Sequence, residues 1–405
     1  MPRQCGRIGS KAGNVDHPDS FESIVTHGDG GIEETLDVAP PIHQTSTFIA
    51  QSAEEFARQA TEARPDAYYT RAGNPTHRRA EAILAKLEGA EAGIVTASGM
   101  GAITCSILAH VAAGDHVVAQ KNHYMAASKF VTDILPRFGV QSTVVDQTDP
   151  DAFAEAIRPE TKVIFVETPS NPTGQITDLR AIANLAKQHG ITTICDNTFA
   201  SPINQQPISH GVDIVVHSAT KYLGGHHDLI AGAVLGSSEH IETVWRFTNM
   251  FGPTLGPIDA WLLLRGLRTL PLRVRHHNEA GCAVARHLEE HSKIEAVHYP
   301  GLPSHPDYAV ASRQMSGYGA TFSFQVRGGY KDTQRFMSNL RMVKQAVSLG
   351  GFETLAVHAA AMWGGSLSDE QVREAGVEPN MVRISIGLET AEDVIADLDH
   401  ALAAV

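Results

Sequence analysis

Short apolar runs recur along the first two thirds of the chain: Ile94-Val95, His116 to Ala119, Ser142 to Val145, Val163 to Val166, Thr192 to Cys195, Asp213 to Val216 and Ala233 to Leu235. Between them lie stretches whose apolar positions follow a helical period, such as Asp178 to Gln188. A strand buried on both faces reads as a continuous apolar run, and alternation with helices implies a mostly parallel sheet covered on both sides. The pattern therefore predicts an α/β major domain. Upstream, Arg78 to Leu87 has helical spacing and Gly89 is a plausible stop. Residues 1–65 are rich in turn formers and charge, and Pro40-Pro41 forbids regular helix there, so this segment is expected to be an extended N-terminal arm. Downstream, a long apolar segment from Pro257 to Leu272 precedes a helical stretch from Arg275 to Glu290. Strand candidates at Ala320 to Val326 and Val382 to Ile386, with helices at Thr333 to Leu340 and Ala391 to Val405, predict a smaller α+β domain. The expected division is an arm over 1–65 at an oligomer interface, a major domain over 66–255 and a C-terminal domain over 256–405.

Composition narrows the function. The chain has 405 residues, 42% of them hydrophobic and 19% charged, which fits a folded globular chain of two or three domains or one very large one. Net charge is 32 − 45 = −13 with no Lys/Arg stripe, so no nucleic-acid partner is expected. Cys5, Cys105, Cys195 and Cys282 are widely spaced, which suits a reducing compartment and argues against structural zinc; no metal is expected. There is no apolar signal-like stretch near the start and no run of about eighteen apolar residues, so no membrane partner is expected and the chain is placed in the cytoplasm.

Candidate chemistry gathers after the apolar runs, at positions corresponding to the carboxyl ends of strands, where α/β sheets bind ligands. The segment His217-Ser218-Ala219-Thr220-Lys221-Tyr222-Leu223-Gly224-Gly225 puts two hydroxyls, a lysine and paired glycines into one turn. A lysine there can present its amine to a carbonyl while Ser218 and Thr220 hold an anion. Asp196 follows another apolar run; it could cap a helix, or, beside a Schiff-base lysine, keep a pyridine nitrogen protonated. Ser98-Gly99-Met100-Gly101 opens a helix after a third run, offering backbone N–H groups to a phosphate.

Together these segments resemble the Cys/Met-metabolism family of pyridoxal-phosphate (PLP) enzymes, which contains cystathionine and methionine γ-lyases, cystathionine γ-synthases and homoserine-ester sulfhydrylases. The resemblance runs from about Pro40 to the C-terminus. It rests on Tyr69-Thr70-Arg71 with Asn74-Pro75-Thr76, Ala97-Ser98-Gly99-Met100, Glu167-Thr168-Pro169-Ser170-Asn171-Pro172, Asp196-Asn197-Thr198, Ser218-Ala219-Thr220-Lys221-Tyr222 and Ser348-Leu349-Gly350-Gly351. It implies the fold-type I PLP-dependent transferase fold and PLP as cofactor. By the same resemblance Lys221 carries the cofactor covalently and then moves protons, while Asp196 pairs the ring nitrogen. Gly99, Met100, Ser218 and Thr220 would hold the phosphate, with Tyr69 and Arg71 reaching it from a neighbouring subunit. Tyr124 would stack on the ring and serve the leaving group. Asn171 would lie near the cofactor hydroxyl and the substrate carboxylate, Arg383 would clamp that carboxylate, and Ser348 would orient the lysine. A homotetramer built as a dimer of dimers is implied, with active sites at the dimer interface.

Departures from the family pattern bear on the substrate. Where γ-synthases and many cystathionine γ-lyases have a glutamate, this chain has Val347, which cannot receive a distal ammonium. Met125-Ala126-Ala127 follows Tyr124 in place of the sequences usual there, and His226-His227-Asp228 replaces a single histidine. The expected function is thus a carbon-sulfur or carbon-heteroatom γ-lyase of transsulfuration-type amino-acid metabolism. Its substrate would be a small amino acid of the homocysteine or homoserine type (methionine, homocysteine, cystathionine or an O-linked analogue such as canavanine), released as 2-oxobutanoate and ammonia. The alternatives are γ-replacement, by an O-acetyl- or O-succinylhomoserine sulfhydrylase or a cystathionine γ-synthase, and then cystathionine β-lyase.

Overall fold

Seven strands form the larger sheet of the computed structural model: β1 (Ala92–Thr96), β2 (His116–Gln120), β3 (Gln141–Val145), β4 (Thr161–Glu167), β5 (Thr192–Asp196), β6 (Ile214–His217) and β7 (Gly232–Gly236). Each coincides with an apolar run of the sequence. The structure describes residues 20–32, 37–364 and 376–405, so the start of the expected arm, with Cys5, lies outside the described residues. The strand order is β1-β7-β6-β5-β4-β2-β3. All neighbours are parallel except β7, which runs antiparallel to both β1 and β6. Parallel neighbours need a crossover of a dozen or more residues, usually a helix. Between β6 and β7 the chain instead reverses through residues 218–231, which contain no helix, so the segment carrying Lys221 stays at the carboxyl end of β6. Every position of β2, β6 and β7 is buried, whereas the edge strand β3 leaves Val144 exposed.

A second sheet contains β8 (Ile294–His298), β9 (Thr321–Val326), β10 (Lys344–Gln345), β11 (Leu355–His358) and β12 (Met381–Ser385), in the order β10-β11-β12-β9-β8. Only β9 and β12 are visible as runs in the sequence. Strand β10 has two exposed residues and β8 is interrupted by a register shift, so neither carries a clear periodic signal. Helices Tyr330–Asn339 and Ala391–Leu402 cover this sheet around a core containing Phe322, Phe324, Phe336 and Leu398.

Two elements depart from the sequence expectation. The arm is not extended throughout: Phe21–His27 and Ala53–Thr61 are helices with Ser20 and Ser52 as their N-caps. The first buries Ile24 and Val25 in the core of the large sheet, together with Ile83, Leu84 and Leu87, and that burial holds a helix too short to be stable alone. Second, helix Pro257–Leu267 puts Ala260, Leu263, Leu264 and Leu267 into that same core, although it follows the expected boundary. The following helix, Leu270–Glu290, joins the two cores: Leu270 and Val274 pack with the large sheet, Val284 and Leu288 with the small one.

Among the described residues, no helix is long and apolar enough to cross a membrane. None of their His, Cys, Asp and Glu side chains gather in threes to hold a metal ion.

Candidate active site

The carboxyl ends of β1, β4, β5 and β6 lie along one edge of the large sheet and face Arg383 of β12. Between them is a cavity of about 480 Å³. Its wall includes Gly99, Met100, Tyr124, Asn171, Asp196, Ser218, Thr220, Lys221, Val347, Ser348 and Arg383, residues that are scattered over the sequence. Tyr69 and Arg71 are not in this wall. They lie together on the segment before helix Pro75–Glu88, with the Arg71 guanidinium 5.2 Å from the Tyr69 ring centre and Arg71 Nε donating to Asn249 Oδ1 at 3.2 Å.

Lys221 sits in the turn after β6, where its own N–H donates to Ser218 C=O at 3.1 Å. The turn is clamped from below by buried Arg273, whose Nη1 donates to Tyr222 C=O at 2.7 Å and Nη2 to Gly266 C=O at 2.7 Å. Gly225 makes this clamp possible: it has φ +73°, and a Cβ there would lie 2.0 Å from Arg273 Nη1. The amine of Lys221 donates to Ser348 Oγ at 3.0 Å. Burial, with the Arg383 charge adding to it, pushes the Lys221 amine down to about 8. A free, nucleophilic amine is therefore far more accessible near neutral pH than for a solvated lysine.

Arg383 is buried and held flat by two acceptors: Nη1 donates to Asn171 Oδ1 at 3.2 Å and Nη2 to Ser348 C=O at 3.0 Å. Burial lowers its affinity for the proton to about 10, yet leaves it charged at neutral pH. Ser348 is thus held twice, by Lys221 through its hydroxyl and by Arg383 through its carbonyl, in a left-handed backbone conformation with φ +99°. A non-glycine residue in that region costs energy and persists where the surroundings demand it.

Asp196 and Glu167 end adjacent parallel strands and are register partners. Asp196 Oδ1 accepts from Thr198 N–H at 2.9 Å and from Thr198 Oγ1 at 2.5 Å, and Thr198 Oγ1 accepts from Ser218 N–H at 2.8 Å. Burial raises the Asp196 pKa, against the bonds from Thr198 and the charge of His217. The Glu167 pKa is raised well above the carboxylate range by burial and by the Asp196 charge, so Glu167 is the member of the pair that retains a proton more readily. Its oxygens accept from Tyr124 N–H at 2.6 Å and Asn171 N–H at 3.1 Å, tying two cavity residues to β4.

Helix Gly99–Leu108 begins at the cavity with Ser98 as its cap, Ser98 Oγ accepting from Gly101 N–H at 3.0 Å. First-turn N–H groups have no acceptor within a helix, so those of Gly99 and Met100 are available to an anion. Gly99 permits the close approach: a Cβ there would lie 2.8 Å from Ser218 Cβ.

Sequence reasoning singled out neither Glu167, Thr198, Met362 nor Trp363. Glu167 and Thr198 stand within recognised motifs but announce no function by type. Met362 and Trp363 reach the cavity from helix Ala359–Gly364. His227, at φ +57°, packs against Gly351 and the Phe352 ring and is not part of the cavity wall.

A mostly parallel sheet with a poorly basic lysine at the carboxyl ends of its strands, joined to a smaller α+β sheet, is the architecture of a fold-type I PLP-dependent enzyme. The chain belongs to the Cys/Met metabolism PLP-dependent enzyme family, whose model matches residues 23–403. It is 42% identical over 386 residues to an L-methionine gamma-lyase of Porphyromonas gingivalis, covering 94% of this chain and 96% of that protein. It is 39% identical over 361 residues to an O-succinylhomoserine sulfhydrylase of Pseudomonas aeruginosa, covering 89% and 90%. The crystal structure of metB from Corynebacterium glutamicum superposes with a TM-score of 0.88 at 34% identity, covering 95% of this chain and 98% of that one.

Proposed function

We propose that the protein is a PLP-dependent γ-lyase that cleaves the Cγ–heteroatom bond of a homocysteine- or homoserine-type amino acid, with uptake of water, to give 2-oxobutanoate, ammonia and the protonated leaving group. The observation that carries this reading is the cavity itself: a poorly basic Lys221 and a clamped Arg383 share its lining with the apolar side chains of Met125, Ile230, Val347, Met362 and Trp363. Such a wall suits a thioether or a small apolar leaving group better than a charged one.

PLP fits the donor set on chemical grounds. Gly99 and Met100 N–H groups with Ser218 and Thr220 hydroxyls suit its phosphate, and Asp196 suits its ring nitrogen. Lys221 suits its carbonyl carbon, and Tyr124 its ring face. When bound, the cofactor supplies an electron sink that lowers the cost of removing protons from substrate carbon. Arg383 binds the substrate carboxylate with its planar fork, which Asn171 and Ser348 keep oriented. Once freed by the incoming substrate amine, Lys221 Nζ removes and returns protons at Cα and Cβ, with Ser348 Oγ steadying it. Tyr124 Oη delivers a proton to the departing heteroatom. Tyr69 and Arg71, outside the cavity of their own chain, would complete the phosphate site from a neighbouring subunit, in a homotetramer of the cytoplasm.

Similarity to an L-methionine gamma-lyase supports elimination. Similarity to an O-succinylhomoserine sulfhydrylase supports a second reading, in which a thiol or sulfide adds before product leaves. The experiment is 2-oxobutanoate release from methionine, homocysteine, cystathionine, canavanine and O-acetyl- and O-succinylhomoserine, each with and without sulfide. The γ-lyase requires ketoacid without sulfide, little changed by adding it. Sulfide-dependent homocysteine formation that suppresses ketoacid would assign replacement instead.

A further inference from the structure

Strand β12 carries Arg383 and Ser385 two positions apart, hence on one face, and β9 carries their register partners Ser323 and Thr321. The alternate residues, Phe322, Phe324, Val382 and Ile384, fill the core of the small sheet. Yet the polar face is buried as well: Thr321, Ser323, Arg383 and Ser385 are 6%, 0%, 5% and 2% exposed. A hydroxyl taken out of water is costly unless it finds a partner. Here the partners are chain neighbours of the cavity residues. Ser323 Oγ donates to the carbonyl of Pro172, next to Asn171, at 2.7 Å. Thr321 Oγ1 lies 3.0 Å from the hydroxyl of Tyr222, next to Lys221. Ser385 Oγ accepts from the N–H of Gly350, two residues after Ser348, at 2.9 Å.

Three of these contacts close a ring. Thr321 Oγ1 donates to Ser385 Oγ at 3.1 Å, so one line of hydroxyls runs from Tyr222 through Thr321 and Ser385 to the Gly350 N–H. Tyr222 Oη also accepts from Ala320 N–H at 3.3 Å, and burial pushes the phenol up, so it stays a neutral hydroxyl. The line begins on the residue after Lys221 and ends two residues after Ser348, the side chain to which the Lys221 amine donates. Strand β12 thereby grips residues 348–350 at both ends: Arg383 takes the Ser348 carbonyl and Ser385 the Gly350 N–H. Gly350 also lies against the lysine turn, where a Cβ would be 2.8 Å from Tyr222 N. Ser348, with φ +99°, is in a conformation that only such surroundings maintain.

We propose that Ser385 is a positioning residue for proton transfer: with Thr321 and Tyr222 it fixes Gly350 and so keeps the Ser348 hydroxyl on the Lys221 amine. The inference rests on the roles given above to Lys221 and Ser348. A purely structural anchor for Gly350 needs one acceptor. Three linked hydroxyls do more, because they tie the place of that acceptor to the turn that carries the lysine.

The test uses holoenzyme and norleucine, which has the length of methionine and no heteroatom to expel. Replacement of its Cα proton by deuterium from D2O, followed by proton NMR, reads Lys221 apart from either elimination or γ-replacement. Wild type, Ser385→Ala, Ser348→Ala and the double variant form a cycle. Ser385→Ala should slow this exchange about tenfold, the cost of a misplaced catalytic group. With Ser348 already alanine, the same change should cost less than about twofold, because the hydroxyl through which Ser385 acts is gone. In the apoenzyme, amide hydrogen exchange read by mass spectrometry should be about tenfold faster over residues 346–352 in Ser385→Ala. Thr321→Val leaves Gly350 its acceptor but cuts the link to Tyr222, and should slow norleucine exchange about threefold, with Thr321→Ser restoring it. That pair decides should Ser385→Ala fail to fold. Unchanged amide exchange over residues 346–352 overturns the proposal. So does faster amide exchange with an unaltered norleucine rate, or an equal slowing in both Ser348 backgrounds, since either marks Ser385 as structural. The underlying reading fails separately: if wild type exchanges no Cα proton, or Ser348→Ala exchanges as fast as wild type, the roles of Lys221 and Ser348 fall and the inference falls with them.

Discussion

Lys221 offers the sharpest check on the site, because its depressed basicity predicts a pH dependence that a solvated lysine would not show. With the amine at about 8, about one molecule in ten has the free base at pH 7, against about one in three thousand at the ordinary value of 10.5. Apoenzyme should therefore capture PLP about 300 times faster at pH 7 than an unperturbed lysine would. The assay is stopped-flow growth of the absorption at about 420 nm expected of the protonated lysine adduct, with borohydride trapping to confirm Lys221 as the site. The rate should rise tenfold per pH unit below about 8 and level off above it. The sign is that of a group whose charged form is disfavoured in the fold: proton loss comes early, and the reactive form is present above the inflection. Arg383→Leu removes the neighbouring charge and should move the inflection upward, by less than burial moves it down, since burial is the larger cause. A rate still climbing at pH 10 in wild type would refute the reasoning, as would an inflection that moves downward in the Arg383 variant.

Three further outcomes follow from the geometry. Arg383→Lys keeps the charge but loses the fork to Asn171 and Ser348, so KM for the amino-acid substrate should rise about 10- to 100-fold, measured by steady-state kinetics under saturating PLP. Glu167→Ala leaves the buried N–H of Asn171 and the half-buried N–H of Tyr124 without that acceptor and should cost about 1–3 kcal/mol in denaturant unfolding, with folding itself preserved. Val347→Glu restores an acceptor for a distal ammonium; because Val347 is 66% exposed, the gain is at most about 1 kcal/mol. The ratio of kcat/KM for cystathionine to that for methionine should then increase by up to about fivefold, and a ratio that falls would remove position 347 from substrate selection.

Much of the architecture could be read from local pattern. All seven strands of the large sheet announce themselves as apolar runs; for those covered on both faces, such as β2 and β6, the middle of the strand must be apolar, while the edge strand β3 shows through Val144 and Val145 although Val144 is exposed. The α/β class follows from that alternation, and the lysine turn, Asp196 and the Gly99 helix start stand out because each follows such a run. The tertiary structure decided everything that depends on neighbours distant in the chain. Helix Phe21–His27 exists because Ile24 and Val25 find the face of another helix, a partner more than fifty residues on. The two-residue β10 exists through its pairing with β11. The value of about 8 for Lys221 depends on burial and on Arg383, 162 residues away in sequence. Glu88 is least legible of all. At a helix end before a glycine it reads as an ordinary surface acid, and only the packing of β6 against that helix turns it into the buried partner of His217. Residue type and local period fix which faces are apolar and which chemistry is on offer; environment fixes the charge state, and environment is made by the fold.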